Sequence, residues 1–188
     1  MYIQHYNIVT PLGFDLPTTA RLLLRERSAI ARYPMYGQLT DVCLSKIGDG
    51  AIENRFQQVV ERNDFSRLEK LLLLAIAPIF HKIKITPRTA LILSSTKGNI
   101  SALANGDSAP LLSTLAQKMA NAIGVTTTPI VVSNACVSGA MALSVADRLL
   151  KADAYDSAIV LAGDEISEFV LSGFQSFQAM SAQPCRPY

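Results

Sequence analysis

Histidine, cysteine and charge are all scarce in this 188-residue sequence. Charged residues make up 17% and the net charge is +2, too little for a nucleic-acid-binding protein. The three cysteines, Cys43, Cys136 and Cys185, are far apart and form no CxxC or Cys/His cluster. Neither a disulfide framework nor a zinc site is indicated, so no metal or cofactor is expected. Only His5 and His81 could serve as a histidine base. There is no GxSxG elbow, Walker A loop, GxGxxG fingerprint or HExxH pair. The N-terminus lacks the basic-then-apolar pattern of a signal peptide. The longest apolar run, "LLLLAIAPIF" at 71–80, is too short to cross a bilayer. A cytoplasmic protein without a membrane span is expected.

What is present is apolar. Hydrophobic residues make up 49%, which fits a packed globular chain rather than a disordered one. The length suits one domain over 1–188. Charge is uneven: residues 1–100 hold 13 Lys/Arg against 8 Asp/Glu, and residues 101–188 hold 4 against 7. A basic first half could steer an acidic partner, although scattered surface charge explains the same counts.

The order of patterns predicts strands near 2–10, 89–95, 129–134 and 157–163. Helices are expected over 16–27 with Asp15 as a cap, from Ser66 and Glu69 as a capping box, from Pro110 to Gly124, and over 138–151. Pro78 should kink or end the second of these. Residues 28–63 are mixed and weakly patterned. "ALILSS", "PIVVSN" and "SAIVLAG" are continuous apolar runs, as expected of strands buried on both faces. Alternating strands and helices predict an α/β fold with a mainly parallel sheet covered by helices on both faces.

Within "VVSNACVSGAMAL", Cys136 falls where a strand should hand over to a helix. A helix N-terminus favours a thiolate, and its N–H groups can receive an oxyanion. Ala135, Ser138, Gly139 and Ala140 keep the turn small. The residues alone leave two readings open: a nucleophile, or a small apolar residue packed at a helix start. His5 and His81 read as structural or exposed rather than as its base. Asp164 and Glu165 of "AGDE" lie at a strand end, where α/β proteins often place function, or serve in capping or an ion pair.

The cysteine segment is similar to the active-site segment of β-ketoacyl-acyl-carrier-protein synthases. "IVTPLG" resembles that family's opening strand and turn, and "ALILSSTKGNI" its second strand and loop. "AIVLAGDE" stands where the family has Gly-Gly-x-Glu, and "GFQSFQAMSAQPCRPY" resembles its Gly-Phe…Cys-Arg-Pro-Phe run. Asp164 replaces the family's second glycine, and Asn134 stands where Thr or Ser is commoner. The resemblance implies a thiolase-like half-domain, the N-terminal of two similar halves, with strand order 3-2-1-4. It implies that Cys136 carries an acyl group in condensation with a malonyl thioester, in fatty acid or polyketide biosynthesis, with two histidines supplied by the other half. An acyl carrier protein and a homodimeric or related synthase partner are implied with it, or alternatively a non-catalytic role as the partner subunit.

Overall fold

The computed structural model describes residues 1–61, 64–105 and 111–185. Pro110, expected to open a helix, and Arg186–Tyr188 of the Arg-Pro-aromatic ending lie outside the described residues.

A three-stranded parallel sheet forms the centre, in the order β4–β3–β5, with β3 at Thr89–Ser94, β4 at Ile130–Val132 and β5 at Ser157–Ala162. The register aligns Ser94 with both Val132 and Ala162, so the three carboxyl ends finish level. Every residue of β3 is buried, as its continuous apolar run requires of a central strand. Alternation then divides the core. Leu91 and Leu93 face α3 (Arg67–Phe80) and α4 (Leu112–Ile123), packing with Leu72 and Met119. Ile92 faces α5 (Ser138–Lys151), where the small Ala142 and Ala146 let the helix lie close. An α/β sheet with helices on both faces is the architecture expected.

The helix ends follow the sequence chemistry. Asp15 caps α1 (Leu16–Leu23), accepting from the Thr18 amide at 2.7 Å. Ser66 and Glu69 close a capping box on α3, and Pro78 is accommodated near that helix's end. Gly124 ends α4 at φ 78, a left-handed position that a side chain would strain.

Two features differ from the pattern reading. The 28–63 region, to which the sequence assigned no element, holds an antiparallel hairpin, β1 (Ile30–Tyr36) with β2 (Leu39–Ser45), followed by α2 (Asp49–Gln57). Its turn uses Gly37 at φ 60, where a Cβ would also collide with the Glu168 carboxylate. Leu39, Val42 and Leu44 pack on Leu171 of α6 (Glu168–Ser176).

The second is the failure of the strand expected at 2–10, and with it of the order 3-2-1-4. Residues 2–9 join no ladder; only the Thr10–Gly13 bridge forms there. β3 pairs directly with β5, leaving no place between them. A pocket lined by Asn7, Val9, Ala162 and Gly163 separates the segment from the end of β5. Side-chain bonds hold it instead: Asn7 donates to the Phe14 and Ala75 carbonyls at 3.2 and 2.9 Å and accepts from the Leu16 amide at 3.0 Å. Tyr2, Ile3 and Tyr6 are exposed there, and strand propensity without a partner makes no strand.

Candidate active site

The site is assembled where the three parallel strands end, the usual position of ligands in open α/β sheets. β4 stops at Val132, and the chain turns through Asn134 into a short 3-10 turn, Ala135–Val137, before α5 begins at Ser138. Ala135 sits at φ 45, a left-handed conformation that costs a non-glycine residue about 1–2 kcal/mol. Strain of this kind persists only when neighbours hold it. Ser138 does so: its buried hydroxyl accepts from the Asn134 amide at 2.8 Å and donates to the Ala135 carbonyl at 2.7 Å. The Val137 amide adds a bond to the Asn134 carbonyl at 3.1 Å. Together these bonds pin a sharp elbow with Cys136 at its crest.

Cys136 is exposed, with its thiol free of any disulfide. Exposure leaves the thiol within reach of a reagent or substrate in this chain. No side chain caps the start of α5; the Val137 and Ser138 amides there bond back to the Asn134 and Ala135 carbonyls. Gly139, one turn in, faces the β5 end, where a Cβ would meet that of Ala162 at 3.8 Å.

The carboxylates turn out to organise the neighbouring loop. Asp164 Oδ1 accepts from the Ser95 hydroxyl at 2.8 Å, the Thr96 amide at 2.9 Å and the Thr96 hydroxyl at 3.0 Å. Ser95 in turn accepts from the Gly98 amide at 3.0 Å, and Gly98 takes φ 58 to close the turn. The side chain that replaces glycine at 164 thus ties the loop after β3 to the end of β5. Glu165 is buried; its Oε1 accepts from the Ser101 amide at 3.2 Å, while Oε2 has no hydrogen bond and lies 4.0 Å from Arg67 Nε. Beyond it, Asn99 donates to Glu69 at 2.8 Å, and Glu69 is paired with Lys118 at 2.7 Å. Asp164 and Glu165 are therefore structural braces of the 95–101 loop, rather than helix caps.

Neither histidine is hydrogen-bonded to the cysteine. His81 caps the C-terminus of α3, which leads into the start of β3, whereas Cys136 follows the carboxyl end of the parallel β4. His5 is exposed on the unpaired N-terminal segment. Among the described residues no group of three or more His, Cys, Asp or Glu could hold a metal ion. Sequence reasoning used Ser138 only as a small residue; its role as the pin of the elbow was readable from one signal, a hydroxyl one turn beyond a strand end.

Residues 6–188 match the family described as "Beta-ketoacyl synthase, N-terminal domain". No curated protein matches the chain. Among solved structures, it is similar to a ketosynthase (ApeO) in complex with its chain length factor (ApeC) from Xenorhabdus doucetiae. The TM-score is 0.74 at 20% identity, over 99% of this chain and 52% of that one. The ishigamide ketosynthase/chain length factor gives 0.70 at 19% identity, over 95% and 56%. A β-ketoacyl synthase from Burkholderia phymatum STM815 gives 0.64 at 18%, over 93% and 49%. The chain spans about half the length of the solved structures it matches.

Proposed function

The chain belongs to the β-ketoacyl synthase family, matching its N-terminal domain, and on that premise we propose that 1–188 is a single domain carrying the acyl-accepting nucleophile of a 3-oxoacyl synthase. The observation that carries this reading is an exposed Cys136 on an elbow pinned by Ser138 at the carboxyl end of the sheet. The Cys136 thiolate attacks the carbonyl of an acyl thioester. A new C–S bond forms, and the carrier thiol leaves as the tetrahedral oxyanion collapses. A carbanion formed by loss of CO2 from a malonyl thioester then attacks the acyl-enzyme, releasing a 3-ketoacyl product and the Cys136 thiolate. The histidines of the decarboxylation step are assigned to a second half-domain, a reading supported by the absence of a hydrogen bond from either His5 or His81 to Cys136. The donor is an acidic acyl carrier protein, matched to the excess of 13 basic over 8 acidic residues in the first hundred.

A second reading, a non-catalytic partner subunit, is favoured by one observation. Two of the similar structures are ketosynthases paired with chain length factors. The retained, exposed Cys136 favours the catalytic reading over it.

CO2 release from a malonyl thioester tests the division of labour. The expected rate with this chain is the uncatalysed one, unchanged by Cys136→Ala. Release above background that disappears in a His5→Ala or His81→Ala variant would show a self-sufficient catalyst and overturn the assignment.

A further inference from the structure

Cys43 and Cys185, which the function does not use, open onto one and the same cavity. This shallow, open pocket is lined by the tail that follows α6 and by the hairpin, with Ile30, Ser45, Met180 and Ser181 beside the two cysteines. Cys43 lies on β2 between the buried Val42 and Leu44, so alternation turns its thiol away from their core and towards the cavity. There the Cys43 thiol lies 3.8 Å from the carbonyl of Ala182, which brings the tail to the strand across 139 residues of sequence. Met180 anchors the tail by packing against the hairpin core. Neither cysteine is in a disulfide, and Cys136 does not line the cavity.

We propose that Cys43 and Cys185 form an oxidation-dependent disulfide that fastens residues 180–185 to the β1–β2 hairpin. A disulfide needs Cα atoms roughly 4.4–6.8 Å apart. Residues 177–185 contain no helix or strand, so the tail can adjust to that geometry while the ladder holds Cys43. Two S–H bonds break and one S–S bond forms; the two electrons and two protons pass to a two-electron oxidant such as the azo compound diamide, which becomes its hydrazine. A dithiol reductant reverses the step.

The native chain treated with diamide, alkylated and mapped by mass spectrometry reads this directly. The expected product has lost two hydrogens, shows a single linked peptide joining Cys43 to Cys185, and still alkylates at Cys136. Linkage is lost in Cys43→Ser and in Cys185→Ser and kept in Cys136→Ala. In urea the selectivity disappears and all three pairings occur, which separates a folded-state preference from chance reactivity. Cys43 and Cys185 both remaining open to alkylation in the native chain, or pairing with Cys136 as often as with each other, would overturn the proposal.

Discussion

Ser138 does more for the site than its size suggests. Its hydroxyl serves the Asn134 amide and the Ala135 carbonyl at once, so Ser138→Ala removes one bond from each, while the Ala135 carbonyl keeps the Ser138 amide. Asn134 and Ala135 are both exposed, so water replaces what is lost and the net cost is about 0.5–1.5 kcal/mol. Urea denaturation is predicted to show a loss in that range, with acyl acceptance falling as Cys136 loses its fixed position. Ala135→Gly is predicted to do the reverse to stability. Glycine adopts φ 45 without strain, so a gain of about 1 kcal/mol is expected in the same measurement. No gain would mean that Ala135 is not held in the left-handed region. Asp15 offers a pH test. The Thr18 amide and then its hydroxyl stabilise the carboxylate, lowering its pKa below the ordinary value. Stability from this cap is therefore present above the unfolded carboxylate pKa and lost as pH falls through the lower folded value. Asp15→Ala should cost about 1 kcal/mol at neutral pH, and the difference from wild type should vanish in acid.

At the scale of elements, the loop after β3 depends on a carboxylate from β5. Asp164→Gly restores the residue type the family commonly carries, but removes the acceptor for Ser95 and Thr96. Hydrogen exchange at the Thr96 amide is predicted to accelerate in that variant while β3 amides keep their protection; unchanged exchange would show that the loop is held by other bonds. Much of this layer was legible in the sequence. The three strands announced themselves as apolar runs, although only β3 is buried throughout while β4 is half-buried and β5 buried only in part. Asp15, Ser66 with Glu69, and Gly124 marked helix ends through local chemistry that tertiary packing then respected. The hairpin was not legible. Pro34 interrupts β1, Asp41 takes φ 59, and the burial of β1 does not alternate, so period-two reasoning had nothing to grip. Residues 2–9 misled in the opposite sense: they have a strand's composition, but the free edge of β5 stays unpaired and Asn7 ties the segment to Ala75 and Leu16 instead. Cys136 stood out by its place between strand and helix; Ser138 and Asp164 could not be given their roles without knowing which backbone groups they meet.

For the whole molecule, two features point outward. β4 is an edge strand with only β3 beside it, and Val137 of the 3-10 turn and Met141 of α5 are exposed one turn apart beyond Cys136. Edges and apolar patches of this kind favour association. Light scattering at micromolar concentrations is predicted to report a dimer, or a heterodimer when a related synthase chain is supplied, and Met141→Lys should shift it towards monomer. A monomer at every concentration would remove this part of the account. No helix among the described residues is long and apolar enough to cross a membrane.

On the proposed reading Cys136 accepts the acyl group, and one measurement tests this on residues 1–188 alone. The folded chain is incubated with an acyl-carrier-protein thioester and the acylated peptide is identified by mass spectrometry. A mass gain equal to one acyl group, mapped to Cys136 and abolished by Cys136→Ala but not by Cys43→Ser or Cys185→Ser, is the predicted result. Acylation at Cys43 or Cys185 with Cys136 unmodified, or none at all in a chain whose Cys136 alkylates readily, would contradict it.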